Sequence, residues 1–484
     1  MDIVSDKIFD RIMNSLHHSK DFIVRDIIFA NISIKVLYLC SITDNKQTYQ
    51  SILEPLQSFE GKAKKDIITQ IKSEILTNNE VKDIYDETKA VHEILKGFVV
   101  LIIENQKQMI AVDAEKITVR NIQVPPTSTV TKGPREGFNE SLKMNLSMLR
   151  RRMATEKLVV EFLEVGKLTR TCVAITYLEG VADKNIAKKI SERIRKIDID
   201  GIVDSYYIAE FLKKRPYSMF KQIGDCEKPD ILCAKLLEGR VGIMVDGSPI
   251  VLTLPFILME DLQDSDDYYH QHQRAWFIRI VRLIGVVLAV LLPGTYVAIE
   301  LYHYKIMPTE FLVTLLNTTS GIPFNPFAEI LFVILLFEIL YEANLRMPQY
   351  LGLALSIVGA LILGETAVNA GLVSPPAVMI VAVSGLTFYT IPSQAGQFST
   401  LRLILVFVGG ILGMYGIILS CVFIVSYLSS FDSYSSAYLA PTAPYIVQDQ
   451  KDFILKQNIT DLNTRPFSIA NNRLNNKRKG KWRK

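Results

Sequence analysis

Charged residues are distributed very unevenly along this chain of 484 residues. From Leu283 to Phe431 only nine residues are Asp, Glu, Lys or Arg, whereas the part before Leu283 carries charge at the density of an ordinary globular protein. The uncharged runs are 283–299, 347–364, 366–401 and 403–431. Each approaches or exceeds the roughly 20 apolar residues that a helix needs to cross a bilayer. This distribution predicts a water-soluble first part and a membrane-embedded second part, rather than the buried helices of a large soluble enzyme.

The two ends of the chain and its cysteines indicate the cellular compartment in which the first domain lies. Residues 1–20 are charged and amphipathic and lack the apolar stretch of a secretory signal, so we expect a cytoplasmic first domain. The tail 473–484 has seven Lys or Arg and no acid, which fits either attraction to an anionic inner leaflet or a solvated end. The net charge of +4 is too small to suggest a nucleic-acid partner. The chain has five cysteines, an odd number without paired spacing, which argues against a disulfide framework or a zinc site. They are Cys40, Cys172, Cys226, Cys233 and Cys421.

The soluble part contains an internal repeat. An apolar strand ends in Tyr38 and Leu39, and Asp44 follows five residues later. The same residue types recur about 140 positions further along the chain as Tyr177, Leu178 and Asp183. Helical patterns follow each copy, with the Asp as the expected N-cap, and then two paired strands. In the second copy the paired strands flank Asp246 and Gly247, a dipeptide typical of hairpin turns. The expected fold is an α/β soluble N-terminal region made of two similar subdomains, followed by an all-α polytopic membrane domain.

A segment rich in Pro, Ser and Thr at 124–131 predicts an exposed linker, and the helix after it ends in Arg150, Arg151 and Arg152. Three consecutive arginines are typical of a solvated helix terminus. The predicted domains are 1–123 for the first α/β subdomain, 124–153 for the linker and connecting helix, 154–270 for the second subdomain, 271–431 for the transmembrane helices and 432–484 for a C-terminal cytoplasmic tail.

Within the membrane part, three arginines before the first apolar run place its start in the cytoplasm by the positive-inside rule. Pro293 and Gly294 interrupt that run, so neighbouring helices must satisfy the freed backbone groups. The stretch 308–325 is too polar for a simple span and is expected to lie in the interface or to re-enter. Five spans would leave the basic tail outside, so one segment is not a full span or a further half-helix exists. We expect both termini in the cytoplasm.

Intramembrane carboxylates are costly and normally face a bundle interior, a partner or a water pathway. The candidates for an ion path are Glu329, Glu338, Glu342 and Glu365. Glu342 lies four residues before Arg346 and can pair with it on a helix, whereas Glu338 has no such local partner. A structural hydrogen bond between helices is the alternative for Glu338.

Small residues at four-residue spacing predict a face for close helix packing in the run that follows. They are Gly352, Ser356, Ala360 and Gly364. A second set of glycines, at 409, 410, 413 and 416, resembles a nucleotide-binding pattern but lies in an apolar run without a preceding strand, so that interpretation is rejected.

The segment between the subdomains contains the motif Gly133, Pro134, Arg135, Glu136, Gly137 and Phe138, followed by Glu140 and Ser141. Further motifs lie at 237–241, Asp246-Gly247-Ser248-Pro249, 266–269, 292–293, 296–298, 322–324, 337–339, 342–343, Arg346 with Pro348, 357–360 and 371–374. In this order, these motifs resemble those of the A subunits of bacterial spore germinant receptors, the GerA family. Two departures are Tyr341 and Lys228, at positions where the family commonly has Arg.

The resemblance implies a nutrient-sensing receptor in the inner membrane of the spore. In such a receptor this subunit works beside a transporter-like B subunit, which usually holds the nutrient pocket, and a lipoprotein C subunit. The resemblance further implies that the A subunit forms a homo-oligomer, conducts ions and contacts membrane lipid. No cofactor, metal or catalytic residue is expected.

Two other classes of function fit the sequence less well. A secondary transporter for small solutes or ions would favour repeats within the membrane part, whereas the repeat here lies in the soluble part. A membrane-anchored enzyme is disfavoured because the sequence has no phosphate loop, nucleophile elbow or metal-spaced histidine cluster. His270 and His272 form a lone pair in a polar linker.

Overall fold

The computed structural model describes residues 4–16, 19–59, 61, 66–76, 80–115, 132–346, 362–458, 461–462 and 464–469. In these residues the chain forms two five-stranded antiparallel sheets, then a helical bundle, then a short tail that returns to the second sheet.

The first sheet domain comprises strands with the spatial order β1-β2-β4-β5-β3. These strands are β1 Phe22–Phe29, β2 Ile32–Leu39, β3 Val81–Ile84, β4 Phe98–Ile103 and β5 Met109–Asp113. Its helices are α1 Val4–Leu16, α2 Asn45–Thr48, α3 Glu54–Gln57, α4 Ile67–Gln70 and α5 Glu87–Leu95, with π-helical turns at Tyr49–Leu53 and Ile71–Ile75. One core lies between the sheet and α1 with α5, and a second core covers the opposite face.

The second sheet domain repeats this topology, with the order β6-β7-β9-β10-β8. Its strands are β6 Leu158–Val165, β7 Thr171–Leu178, β8 Gly224–Cys226, β9 Val241–Val245 and β10 Val251–Leu254. Its helices are α6 Leu142–Arg152, α7 Lys184–Arg195, α8 Ser205–Leu212, α9 Pro229–Glu238 and α10 Ser265–Tyr269, with a 3-10 turn at Leu258–Leu262. The two sheets share one strand order, which confirms the predicted repeat.

The same local signals build both copies. Asp44 caps α2 by accepting a hydrogen bond from the Lys46 backbone N–H at 2.9 Å, and Asp183 caps α7 through Asn185 at the same distance. An N-cap carboxylate satisfies backbone donors that a helix leaves unpaired. The predicted N-caps are therefore confirmed.

A buried ion pair joins the two sheet domains. Arg150 in α6 is almost fully buried, and its Nη2 and Nε atoms lie 2.8 and 3.1 Å from the carboxylate of Asp21, just before β1. The backbone N–H of Lys20 also donates to the Val160 carbonyl in β6 at 3.0 Å. The prediction of a solvated arginine run was wrong for Arg150, because the buried Asp21 carboxylate requires its positive charge.

The helical bundle follows the second sheet domain. Its helices are α11 His272–Tyr302, α12 Thr309–Thr319, α13 Pro326–Arg346, α14 Ala367–Asn369, α15 Pro375–Thr387 and α16 Ala395–Ser429. A π-helical turn lies at Ile362–Thr366, and 3-10 turns lie at Tyr304–Ile306, Phe388–Thr390 and Pro392–Gln394. By length and composition, two helical segments of the described chain can cross a membrane, at His272–Tyr302 and Pro392–Ser429.

The helix α16 is a hairpin rather than one straight rod. Gly413 has non-helical backbone angles, with φ of 63° and ψ of −152°. A Cβ on Gly416 would lie 2.8 Å from the side chain of Val408. Because these two residues are two turns apart in a straight helix, so short a distance means that the chain folds back on itself between them. We call 395–412 the first arm and 414–429 the second arm. The uncharged runs 366–401 and 403–431 are therefore not one span each, because α15 and the two arms divide them into three segments.

Both ends of this hairpin reach the second sheet domain. Gln394 donates to the Asp261 carboxylate at 2.7 Å, and Arg215 donates to the Ser430 carbonyl at 2.9 Å. A straight helix of 35 residues would separate its ends by about 50 Å. We call the end of the bundle beside the second sheet domain the near end, and the opposite end the far end.

The tail contributes strands β11 Asp432–Ser433 and β12 Ser436–Ala437 and a 3-10 turn at Asp449–Asp452. Tyr434 enters the core of the second sheet domain, and the Tyr438 hydroxyl donates to the Lys221 carbonyl at 2.8 Å. The described part of the tail is therefore packed on the same domain that precedes the bundle. The basic segment 473–484 lies outside the described residues.

Candidate functional site in the helical bundle

The motif between the subdomains fastens α6 to the hairpin β9–β10. Asp246 Oδ1 accepts from the Leu142 backbone N–H at 3.0 Å, so this aspartate caps α6 from a distant part of the chain. Gly247 donates its N–H to the Glu140 carbonyl at 2.8 Å. Phe138 is buried in the core beneath α6. These contacts make the motif a structural clamp.

The start of the motif lies against the end of the second sheet domain. Gly133 has a φ of 113° and packs on the ring of Tyr269, where a Cβ would overlap the ring. Glu136 accepts from Arg152 at 2.6 Å. Pro134 is half-buried and Arg135 exposed, and Gly137 is buried beside Phe138.

A buried charge cluster ties the first turns of α11 to the tail. The carboxylate of Asp267 accepts from Arg279 at 3.0 Å and from Arg282 at 2.8 and 2.9 Å. Arg279 also donates to Asp452 at 3.0 Å, and Lys456 donates to the Asp267 carbonyl at 2.7 Å. Two of the arginines that predicted a cytoplasmic start of the first span are therefore engaged within the protein.

A second charged contact lies between the second sheet domain and the hairpin. Lys221 Nζ lies 3.2 Å from Asp261, and the Lys221 backbone N–H donates to Gln397 at 3.2 Å. Burial acts to lower the pKa of Lys221, but the carboxylates of Asp261 and Asp225 outweigh it and raise the pKa above its ordinary value. The lysine therefore remains charged at this joint.

Inside the bundle, polar side chains form a continuous chain across three helices. Arg402 in the first arm of α16 donates from Nη2 to Glu338 in α13 at 2.7 Å and from Nη1 to Ser384 in α15 at 3.2 Å. The Ser399 hydroxyl also donates to Glu338. Ser384 in turn donates to the Ala289 carbonyl of α11 at 2.8 Å. We call Glu338, Arg402 and Ser384 the polar chain.

The polar chain ends at the break in α11. Pro293 has no N–H, so the Ala289 carbonyl four residues earlier lacks its helical donor. The Ser384 hydroxyl supplies that missing donor. The structure therefore confirms that a neighbouring helix satisfies the backbone group that the proline frees.

Arg402 is the functional candidate that the sequence interpretation missed. Its side chain is 2% exposed, and its guanidinium lies 4.5 Å from the centroid of the Phe388 ring. The available signal was its position as the single charged residue between the runs 366–401 and 403–431. Glu338 is thus not an isolated carboxylate, because Arg402 lies beside it in the fold.

The other predicted ion-path carboxylates lie apart from the polar chain within one copy of the protein. Glu342 is exposed and pairs with Arg346 at 2.8 Å, which confirms that local pair. Glu329 is buried and accepts from the Ser374 backbone N–H at the start of α15. Glu365 is exposed on the π-helical turn before α14.

The predicted packing stripe is only partly visible. Gly352, Ser356 and Ala360 lie outside the described residues, and no described atom lies within 4 Å of a Cβ built on Gly364. The close helix crossing of the described bundle is formed by Gly294 in α11 and Gly409 in α16. A Cβ on Gly409 would lie 2.5 Å from the Gly294 carbonyl oxygen.

In the part of the chain that the structure describes, no group of three or more His, Cys, Asp or Glu side chains is placed to hold a metal ion. The buried side chains of the polar chain are instead arranged in helix-to-helix hydrogen bonds.

Comparisons with known proteins identify the family. A family model described as Bacillus/Clostridium GerA spore germination protein matches residues 10–468. Spore germination protein KA of Bacillus subtilis (strain 168) is 33% identical over 93% of this chain and 84% of that protein. Spore germination protein GerQA of Bacillus cereus is 32% identical over 94% of this chain and 91% of that protein.

Among solved structures, the N-terminal domain of the A subunit of the Bacillus megaterium spore germinant receptor GerK3 is 26% identical, with a TM-score of 0.37, and covers 51% of this chain and 92% of that chain. The family model extends over both sheet domains and the helical bundle. The resemblance is therefore confirmed, and this chain belongs to the GerA family of spore germination proteins.

Proposed function

We propose that this chain is the A-type membrane subunit of a nutrient-sensing spore germination receptor. It assembles in several copies in the inner spore membrane and conducts ions when a nutrient is sensed. The observation that carries the receptor role is the family match over residues 10–468, together with relatives that are named as spore germination proteins.

The proposed subunit crosses the membrane several times, with its sheet domains in the cytoplasm. The two long apolar helices and the family support a membrane protein. The reversal at Gly413 brings the end of the hairpin back to the second sheet domain, so the domain and tail share one side. The acid-free basic segment 473–484 fits the cytoplasmic side by the positive-inside rule.

The proposed partners are a transporter-like B subunit and a lipoprotein C subunit, as in the family that the sequence resembles. The surface of the second arm of α16 supports the proposal of a lipid or protein partner, because large apolar side chains of this arm are exposed in a single copy of the protein. They include Tyr415, Leu419, Val422 and Phe423. Such a face in a bundle is expected to contact lipid or another subunit.

Charged groups inside the bundle support ion conduction. A carboxylate at the centre of a spanning helix costs a few kcal/mol on insertion scales and is normally paired or hydrated. Arg402 pairs with one oxygen of Glu338, while the Glu338 side chain remains 36% exposed in a single copy. We propose that this exposed side, with Glu365, lines or flanks a cation path when several copies assemble.

Two measurements test the proposal. For the receptor role, spores without this chain are expected to lose the response to at least one nutrient and to regain it with the wild-type gene. An unchanged response to all nutrients would contradict the role. For conduction, the protein with its partner subunits in liposomes should pass monovalent cations.

Charge-removing variants sharpen the conduction test. Glu338→Gln and Glu365→Gln are expected to lower the cation flux or its selectivity, because they keep shape and remove charge. Glu192→Gln, on the exposed surface of the second sheet domain, is the matched control. Assembled variants that conduct with unchanged rate and selectivity would show that the two carboxylates are structural.

A further inference from the structure

A second polar cluster lies at the far end of the bundle, away from the polar chain. Tyr296 and Glu300 occupy neighbouring turns of α11, four residues apart on one face. Glu329, in the first turn of α13, and Ser374, which caps α15, lie beside them. The cluster therefore joins three helices.

The cluster contains polar atoms that the described chain leaves unsatisfied. Tyr296 is 7% exposed, and its hydroxyl has no hydrogen-bond partner in the described residues. Glu300 Oε2 is also buried without such a partner. A buried polar atom without a partner costs free energy. The arrangement therefore indicates that a ligand, rather than another atom of the described chain, binds these polar atoms.

The two carboxylates differ in what stabilises their charge. Glu329 accepts from the Ser374 backbone N–H at the N-terminus of α15, where the helix dipole favours a negative charge. Glu300 has no backbone donor at a helix N-terminus and no ion pair with Lys or Arg among the described residues, and the side chain beside it that can donate is Tyr296. The segment 347–361, outside those residues, contains no charged residue. Two ionised carboxylates in one apolar setting repel each other.

The titratable groups that face Glu300 are Tyr296 on its own helix and Glu329 on α13. The helix α15 has no titratable residue. In α16, Arg402 is already paired with Glu338. Tyr415 of the same helix packs on the ring of His303. The Nδ1 atom of His303 lies 3.4 Å from the Ala298 carbonyl oxygen. Among the described residues, the charged side chain that acts on Glu300 is therefore the acid Glu329 and not a Lys, Arg or His.

We propose that Tyr296, Glu300 and Glu329 form a proton-binding site in which Glu300 carries the proton. The carboxylate of Glu300 takes up one proton and becomes a neutral carboxyl group, while Glu329 keeps the single negative charge. The new O–H can donate within the cluster, and no other bond changes. Loss of the proton places a second negative charge where α11, α13 and α15 meet, so proton occupancy is coupled to the packing of these helices. The site does not depend on ion conduction by the chain.

Infrared spectroscopy of the full-length protein tests this site, in a detergent without carbonyl groups. The carboxylic acid C=O stretching band of a buried protonated group, which shifts in D2O, is expected at pH 7. It should be lost in Glu300→Gln and retained in Glu342→Gln, whose exposed carboxylate pairs with Arg346. Absence of the band from the wild-type protein at pH 7, or its survival in Glu300→Gln, would overturn the proposal.

A second variant keeps the test decisive if Glu300→Gln does not fold. Removing the neighbouring charge in Glu329→Gln should make ionisation of Glu300 easier and move the loss of the band to lower pH. An unchanged or higher midpoint would contradict the site. Loss of the wild-type band on addition of Na⁺ or K⁺ at constant pH would show a metal-cation site and would also overturn the proton assignment.

Discussion

Arg150 and Asp21 lie 129 positions apart in the chain, yet their contact is one of the most buried ion pairs in the described structure. No periodicity or motif connects them, so the sequence could only predict that a run of arginines ends a helix. Glu338 and Arg402 are a second such case, 64 positions apart. Local pairs such as Glu342 and Arg346 are predictable because helix geometry alone brings them together.

Arg150→Met should destabilise the protein by about 3–5 kcal/mol, because it leaves a buried carboxylate without its counter-charge. Arg151→Met is the control, since Arg151 is half exposed and lies 3.7 Å from Glu136. That control should change stability by less than about 0.5 kcal/mol. Denaturant unfolding of the full-length protein in detergent measures both, and equal effects of the two variants would contradict the structural role.

The same pair should appear in the pH dependence of stability. Burial acts to raise the pKa of Asp21, but Arg150 and hydrogen bonds from Ser19 and Ser41 lower it below its ordinary 3.8. A carboxylate with a depressed folded-state pKa stabilises the fold above its unfolded pKa and loses that contribution as pH falls. Wild-type stability should therefore decline below about pH 3.8 more steeply than that of Arg150→Met. Parallel declines would argue against this linkage.

The polar chain gives a prediction about coupling. Glu338→Gln leaves Arg402 buried and without its charge partner, so it should cost more stability than the double variant Glu338→Gln with Arg402→Gln. Melting temperatures of the single variants and the double variant in detergent test this expectation. Strictly additive losses would show that the two side chains act independently.

At the scale of helices and strands, the repeat was predictable because its signals are local. Aspartate N-caps recur in both copies, the Asp246-Gly247 turn marks the hairpin of the second copy, and the two sheets share one strand order. The hairpin of α16 was not predictable in the same way. Its turn consists of one glycine between apolar residues, so neither charge nor a polar turn motif marks it.

Gly409→Ala should weaken the crossing of α11 and α16. The added Cβ would lie 2.5 Å from the Gly294 carbonyl oxygen, so the two backbones must separate. Overpacking of this kind costs about 1–3 kcal/mol. Gly396→Ala is the matched control in the same helix, because no described atom lies within 4 Å of its Cβ position. Equal thermal stability of the two variants would show that the crossing tolerates a wider spacing.

At the scale of the whole molecule, two charged joints hold the sheet domains to the bundle. One joint connects Asp267 with the start of α11 and with the tail, and the other connects Lys221 and Asp261 with the start of the hairpin. The sequence predicted the domains on each side but not these joints, since their partners come from distant segments. Both joints lie at the near end, where a movement of the second sheet domain would reach the helices first.

The chain path predicts which surfaces share a side of the membrane. The tail packs on the second sheet domain through Tyr438 and Lys456, whereas the loop at Ile306 lies at the far end beside the reversal of α16. Exposed single cysteines can be placed at Tyr217, Tyr445 and Ile306, after replacement of the five native cysteines by alanine. In sealed vesicles of one orientation, an impermeant maleimide should label Tyr217→Cys and Tyr445→Cys together, and Ile306→Cys only in vesicles of the opposite orientation. If Tyr445→Cys were instead labelled together with Ile306→Cys, the hairpin would not return the chain to the side of the second sheet domain. That outcome would contradict the proposed path, because the hydrogen bonds of the tail to the second sheet domain require both to lie on one side of the bilayer.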